Sequence, residues 1–370
     1  MVFVLKERDK IVMKKICILL GSLNGIGGTG RAVSVLVKEL VKEYSISIVC
    51  YHQDLDKIGY EIPQNIKIFS IHQEQKPMSR GIFRLIWYMA NYLKREKVET
   101  LLVCGVLNMP GGIIAARIAG VKSICCDHSN YTCVYDAKFE RESRNFAARF
   151  SDTLVLLTEK DIDNYKKGTT VRANLRAIPN LIDENLLNKM SEIKYNETSK
   201  RIISVGRLSY AKNYELLIEI AKEILDNNPR WSWDIYGSGE LEETLKEKKE
   251  LLNVERLQFK GNIKNIYDIY GEYSFLVMTS RYEGFPMVLI EAMANKLPCI
   301  AFDCQTGPSD IIIDGENGVL VEKMSKQDMI DGIQKIIDDV SLRKKMSNST
   351  SKTIEKFAPN IILKKWKDII

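Results

Sequence analysis

The chain has 370 residues, 45% apolar and 28% charged, ordinary proportions for a soluble globular protein and enough for two domains of roughly 150–200 residues. No apolar run reaches the ~18 residues of a membrane-spanning helix, the opening MVFVLKERDKIV is too interrupted by charge for a secretory signal, and three histidines without paired ligand spacing argue against zinc. The net charge of +6 is uneven: residues 1–180 hold 27 Lys and Arg against 18 Asp and Glu, a net of +9, which leaves −3 for the remainder.

In chain order, the first half alternates β-rich runs with helical patterns. Strands are predicted at Lys15–Leu20, Ser45–Tyr51, Lys67–Ile71, Thr100–Gly105, Lys122–Cys126 and Thr153–Leu157. Between the first two, Val33, Leu36, Val37, Leu40 and Val41 recur at helical spacing. Such alternation predicts an α/β domain, a doubly wound parallel sheet covered by helices on both faces.

The loop after the first strand spells G-x-G-x-x-G with Gly25, Gly27 and Gly30. A dinucleotide fingerprint needs its first glycine at the strand end, where the tight turn delivers a pyrophosphate to the helix N-terminus. Here Gly21, Ser22, Leu23 and Asn24 intervene, so the loop is long for NAD, although Asp54 stands near the expected place of a ribose-binding acid. A phosphate, an acceptor hydroxyl or a plain surface turn fits the loop as well. Eight cysteines form no C-x-x-C pair, and Cys17, Cys50, Cys104, Cys125 and Cys126 lie in strand-like runs, which reads as buried thiols of a cytosolic protein.

Further on, RGIFRLIWYMANYLKREK carries Phe83, Trp87, Tyr88 and Tyr92, flanked by Arg80, Arg84, Lys94, Arg95 and Lys97. A core-facing helix with solvated ends and a helix lying at a membrane interface both fit this pattern. The basic balance of this half points to an anionic partner, a membrane surface, a phosphate-bearing molecule or a nucleic acid, although no nucleic-acid module is recognisable.

A polar break interrupted by Pro179 follows, and the alternation restarts. Strands are predicted at Arg201–Val205, Trp233–Tyr236, Leu257–Lys260, Phe275–Thr279, Pro298–Phe302 and Gly318–Val321. The expected division is one domain at 1–180 and a second at 181–354, followed by an amphipathic end whose Trp366 must pack somewhere. Ligands bind at the carboxyl ends of strands in such sheets, so two facing domains create a cleft with strand ends on both walls.

The second half places its chemistry just after strands. Gly206-Arg207 and then Lys212-Asn213 follow RIISV, Gly237-Ser238-Gly239 ends the next strand, and Gly261-Asn262-Ile263 ends the one after. Then FLVMTSRYEGFPMVLIEAMA puts Glu283 in a loop, Pro286 at a predicted first helical position and Glu291 eight residues beyond Glu283. Free amides at a helix start favour phosphate oxygens, Arg207 and Lys212 add cations, and the two carboxylates flank the site with acceptors for hydroxyls. This set suits the parts of a nucleoside diphosphate sugar.

The motifs G-R-L-x-x-x-K-N, Y-G-S-G, F-K-G-N and E-G-F-P-M-V-L-I-E-A-M-A resemble glycosyltransferase family 4, retaining enzymes of GT-B fold. The resemblance covers nearly the whole chain from residue 14 and is most specific over 201–320. It implies that 355–370 crosses back to the first domain and, with the basic balance of that half, that a lipid-linked, phosphate-bearing acceptor is met at the inner face of the cytoplasmic membrane. It implies that Arg207 and Lys212 hold the diphosphate and that Glu283 binds donor-sugar hydroxyls, helped by amides of Gly284, Phe285 and Pro286. It also implies that Glu291 binds the ribose, with Gly237 at the same edge and Asn262–Ile263 bordering the base. Gly27 and Gly28 would approach the phosphate or acceptor, which turns the glycine loop away from NAD, and His128 resembles the family's first-domain active-site histidine. The segment 304–310 resembles relatives that use UDP-activated galactose or N-acetylhexosamines, although Asp310 stands where many carry glutamate. No metal motif is present, so a metal-independent reaction is expected. The rival readings are a non-catalytic nucleotide-sugar-binding subunit and an NAD-dependent oxidoreductase.

Overall fold

Apolar runs such as KICILL and TLLVC are continuous rather than alternating because both faces of the sheet they build are covered. A computed structural model describes residues 13–24, 27–74, 76–133, 138–263, 265–322 and 324–370. Its first sheet contains β1 (Lys15–Leu20), β2 (Ser45–His52), β3 (Lys67–His72), β4 (Thr100–Cys104), β5 (Lys122–Cys126), β6 (Thr153–Leu156) and β7 (Asn174–Ala177). They run parallel in the order β3-β2-β1-β4-β5-β6-β7. The sequence-predicted strands hold to within a residue at either end, and β7 is an addition. At the sheet edge it reads NLRA and alternates between exposed and half-buried, so it lacks the apolar run that marks its neighbours.

The second sheet contains β8 (Arg201–Val205), β9 (Ser232–Tyr236), β10 (Leu257–Gly261), β11 (Phe275–Met278), β12 (Cys299–Phe302) and β13 (Gly318–Val321). Its order is β10-β9-β8-β11-β12-β13, again all parallel. The two sheets therefore repeat one doubly wound topology, in which strand order reverses between β1 and β4 and again between β8 and β11. Each reversal leaves a crevice at the strand carboxyl ends, where ligands settle in folds of this kind.

Helices bury apolar faces on both sides of each sheet. On the first sheet α1 (Gly28–Leu40) packs with Val33, Leu36, Val37 and Leu40 inward, and α2 (Met78–Glu96) contributes Leu85, Met89, Tyr92 and Leu93 on the other face. The chain end returns to the first sheet: Ile362, Trp366, Ile369 and Ile370 join the core that holds α1. Lys14 Nζ donates to the Ile370 carbonyl at 2.6 Å, tying the last residue to the first described ones. At the crossing, Phe357 stacks edge-on against Phe285, centroids 5.1 Å apart, and its carbonyl accepts from Ile182 N at 3.0 Å. All eight cysteines are free and buried.

Candidate active site

The crevice beside β8 is built first by backbone. Gly237 has φ +139, and a Cβ there would stand 2.0 Å from the Gly206 carbonyl oxygen, so the loops ending β8 and β9 touch only because this residue is glycine. Gly206 N donates to Tyr236 O at 2.9 Å, Gly237 N to Gly261 O at 2.9 Å, and Leu208 N to Ser238 O at 3.0 Å. Three neighbouring strand ends are thereby stitched into one ledge. Asn262, exposed at its end, donates from Nδ2 to Ser238 Oγ at 2.7 Å, and Ile263 beside it is half-buried.

Arg207 and Lys212 leave this ledge differently. Arg207 is largely exposed and pairs with Glu240 at 3.1 Å, both groups open to solvent. Lys212 ends a short 3-10 turn, Tyr210–Lys212, and Asn213 then takes φ +56 before the helix Tyr214–Asn227. Asparagine is among the few side chains that tolerate this conformation. The Thr279 hydroxyl donates to the Lys212 carbonyl at 3.1 Å, which fixes the turn against the end of β11. The Lys212 ammonium meets Glu283 Oε1 at 2.5 Å, and Ser280 Oγ donates to the same oxygen at 2.6 Å. A small cavity lined by Val205, Lys212, Tyr214, Leu217 and Val277–Ser280 lies behind this pair.

Glu283 begins the segment Glu283–Pro286, which both halves of the molecule hold. Its carbonyl accepts from Thr306 Oγ1 at 2.6 Å and, from the first half, from Asn130 Nδ2 at 2.8 Å. A second bridge joins Thr132 to Gln305. Gly284 lies so close to the His128–Ser129 backbone that a Cβ would come within 2.4 Å of the His128 carbonyl oxygen. Phe285 is buried against Phe357.

Two expectations are corrected here. Pro286 has ψ 102 and caps the helix Met287–Ala294 from outside, so it is not the first helical residue. It also carries no N–H, so the donors at this helix start are the amides of Gly284 and Phe285 together with those of the first helical turn. The Asp310 carboxylate accepts from the Gly307 N–H at 3.2 Å and so caps its own short helix, Pro308–Ile311.

Glu291 sits inside the apolar helix Met287–Ala294 and is itself buried. Burial pushes its carboxyl above the ordinary carboxylate value, with the Arg31 guanidinium opposing. Arg31 belongs to the first turns of α1, and its Nε donates to Glu291 Oε1 at 3.0 Å. Tyr267 Oη donates to the same oxygen at 3.1 Å, and the guanidinium lies 5.0 Å from the Tyr267 ring centroid.

On the first wall, Gly25 of the glycine pattern lies outside the described residues. Gly27 precedes α1 in extended conformation, with its carbonyl accepting from the Tyr60 hydroxyl at 2.7 Å. A Cβ on Gly27 or Gly28 would meet open space, whereas one on Gly30 would strike the Tyr60 ring at 2.6 Å. Gly30 is thus required by packing, while Gly27 and Gly28 leave room beside the helix start. His128 has its carbonyl against Gly284, and the residue also lines a cavity bounded by Ala32, Leu36, Ile178–Leu181 and Trp366. Asp127 anchors this loop. Its Oδ1 accepts from Ser129 N at 3.0 Å and its Oδ2 from Arg144 Nε at 2.8 Å and Tyr165 Oη at 2.7 Å. Burial works to raise the Asp127 carboxyl, and these partners together hold it below its usual value.

The structure thus brings Lys212, Glu283, Gly284, Glu291 and the His128 carbonyl to one cleft, with Arg207, Gly237 and Asn262–Ile263 along its ledge and Gly27–Gly28 on the facing wall. Sequence reasoning missed Arg31, Asn130 and Tyr267, and took in Thr306 only as part of the segment 304–310. Arg31 directly follows the glycine pattern; Asn130 and Tyr267 carry no local signal. Among the described residues, no cluster of three or more His, Cys, Asp or Glu is placed to hold a metal ion.

Comparison with known proteins identifies the family and the fold. Residues 188–353 match the family described as glycosyl transferases group 1. The chain is 30% identical over 366 residues, 97% of its length and 100% of the relative's, to the amylovoran biosynthesis glycosyltransferase AmsD of Erwinia amylovora. It is 26% identical over 369 residues, 97% of this chain and 98% of the other, to the GalNAc-alpha-(1->4)-GalNAc-alpha-(1->3)-diNAcBac-PP-undecaprenol alpha-1,4-N-acetyl-D-galactosaminyltransferase of Campylobacter jejuni. A crystal structure of a TarM mutant from S. aureus with fondaparinux, alpha-GlcNAc-glycerol and UDP superposes with a TM-score of 0.83 at 18% identity, covering 96% of this chain and 99% of that one. The fold is GT-B, and the chain belongs to the group 1 glycosyltransferases.

Proposed function

We propose that this glycosyltransferase is a retaining enzyme of family 4. It moves a hexose or N-acetylhexosamine (galactose, N-acetylgalactosamine or N-acetylglucosamine) from a UDP-sugar to a hydroxyl of a lipid-linked glycan. The setting is synthesis of capsule, O-antigen or a similar surface polysaccharide, at the inner face of the cytoplasmic membrane and without a metal. The observation that carries the reading is the helix start at Met287 with Glu283 before it, Glu291 within it and Lys212 paired to Glu283. A diphosphate lying over the Gly284 and Phe285 amides would put its sugar beside Glu283 and its ribose beside Glu291.

The chemistry follows from charge. Breaking the bond to the anomeric carbon leaves negative charge on the nucleoside diphosphate and positive character on the sugar. Lys212, Arg207 and the helix-start amides stabilise the departing anion, usually the largest part of such catalysis. No carboxylate of the described cleft other than Glu283 and Glu291 is assigned to the donor, and both have binding roles, so the acceptor attacks from the face the diphosphate leaves. A donor phosphate oxygen then takes the acceptor proton, and the His128 carbonyl, turned to Gly284 across the cleft, accepts a sugar hydroxyl.

The exposed face of α2 supports a membrane setting. Phe83 and Trp87 are 82% and 69% exposed beside exposed Arg80, Arg84, Lys94 and Arg95, the pattern of a helix seated in an anionic interface. No helix among the described residues is long and apolar enough to cross a membrane. The deciding experiment is thermal denaturation with a panel of UDP-, GDP- and ADP-sugars, followed by NMR of the product's anomeric configuration. Stabilisation by UDP-sugars and a retained anomer are expected. No stabilisation by any nucleotide, or an inverted product, overturns the proposal.

A further inference from the structure

Arg31 reaches across the cleft from the first lobe to occupy a carboxylate of the second. Its Nε–Glu291 contact of 3.0 Å joins residues on α1 and on the helix Met287–Ala294, and Tyr267 stacks beneath the guanidinium while donating to the same oxygen. The Arg31 side chain is 26% exposed and that of Glu291 is 6% exposed. The contact is therefore a largely desolvated ion pair at the mouth of the site rather than a surface pair. A buried carboxylate left alone is costly, so some donor must satisfy Glu291 when no ligand is present.

Resting on the reading that Glu291 receives the ribose, we propose that Arg31 is the first lobe's donor-binding residue, exchanged between two anions. Without donor, it stands where the ribose hydroxyls would sit. When the nucleoside diphosphate enters, the ribose takes over Glu291 and Arg31 turns to the diphosphate. Three features support the exchange. Arg31 lies one helical turn from Gly27 and Gly28, whose Cβ positions face open space. A planar guanidinium forks onto phosphate oxygens as readily as onto a carboxylate. Tyr267 donates to Glu291 alongside Arg31, so the carboxylate keeps one partner during the swap. The exchange makes the site selective for a ligand that carries both groups: a bare nucleoside must displace Arg31 and offers it nothing in return.

Calorimetric titration tests this with a nucleoside diphosphate and its bare nucleoside, in the base that stabilises the wild-type protein among UDP, GDP and ADP. Arg31→Gln removes the charge, Arg31→Lys keeps it, and Glu291→Gln weakens the ribose contact. Arg31→Gln should bind the nucleoside about threefold or more tighter and the diphosphate about tenfold or more weaker, an inversion that general damage to the fold does not produce. Arg31→Lys should keep the ratio of the two affinities within a few-fold of wild type, and Glu291→Gln should weaken both ligands together. If Arg31→Gln changes both affinities by the same factor, or neither, the exchange is wrong while the donor site stands. If the wild-type protein binds none of the three diphosphates, the donor-site reading itself fails and takes the exchange with it.

Discussion

Gly284 lies directly under the carbonyl oxygen of His128, with room for a hydrogen and none for a methyl group: a Cβ would stand 2.4 Å from that oxygen and 2.7 Å from the Ser129 carbonyl. Both obstacles are backbone, held by the Asp127 network, and cannot rotate away. Gly284→Ala should therefore open the cleft while leaving each sheet intact. A misplacement of about 1 Å is worth ~10²-fold in rate. Turnover should fall by about that factor, with little change in circular dichroism. Wild-type turnover in this variant would mean that the two lobes do not close on each other during the reaction.

Lys212 and Arg207 carry the same charge in different settings, the first paired with Glu283 behind the helix start and the second pairing with Glu240 in solvent. Removing one preorganised electrostatic contact costs about 10²–10³ in kcat. Lys212→Ala should show that loss. Arg207→Ala should show it too if Arg207 leaves Glu240 for the diphosphate, and Glu240→Gln should then cost little, as exposed pairs contribute only ~0–1 kcal/mol. Single-turnover rates measured at saturating donor test both. Unchanged rates in Lys212→Ala and Arg207→Ala would remove the electrostatic account of the reaction.

The two sheets were legible because buried parallel strands are written as apolar runs; KICILL and RIISV need no tertiary information. β7 was not, since an edge strand with half its residues exposed looks like a loop. The second-lobe site was legible for a related reason. Its residues follow directly on strand ends, so sequence order and spatial order coincide. Arg31 and Asn130 escaped because their partners stand 260 and 153 residues away, and only the closure of one lobe on the other brings them together. Pro286 shows a further limit: proline marks a helix start to within one position, and its ψ decides on which side of the boundary it falls.

α2 offers a test of location that is independent of chemistry. Its inward residues Leu85, Met89 and Leu93 are buried in the first lobe, while Phe83 and Trp87 face solvent among basic side chains. The protein should bind vesicles containing anionic phospholipid, with affinity falling as salt rises. Seating each aromatic is worth ~1.5–3 kcal/mol, so Phe83→Ala with Trp87→Ala should weaken vesicle binding by about tenfold or more. Donor binding in solution should be unaffected. Salt-insensitive binding, or binding that survives the double substitution, argues against α2 as the contact.

Asp161 stores a penalty that a single atom can relieve. It lies in the first turn of the helix Glu159–Gly168, where its Oδ1 accepts from Tyr131 N at 2.9 Å and from Asn164 Nδ2 at 3.2 Å, while its Oδ2 is buried with no hydrogen-bond partner among the described residues. Burial, and then the nearby Asp127 carboxylate, push its carboxyl up to about 7 from the usual 3.8. Between those two values the folded protein keeps a proton that the unfolded chain has already lost. Its contribution to stability therefore declines as pH rises through that window, and the full penalty is present above it. Asp161→Asn keeps the Oδ1 acceptor and replaces the unpartnered oxygen with an uncharged amide. The variant should match wild type near pH 4 and exceed it at pH 8, by of the order of 2–4 kcal/mol, read as a rise of several degrees in melting temperature. The difference between the two proteins, rather than either curve alone, isolates this group from every other titration. A variant that melts at or below the wild-type temperature at pH 8 would mean that Asp161 is ionised at no cost in the native protein.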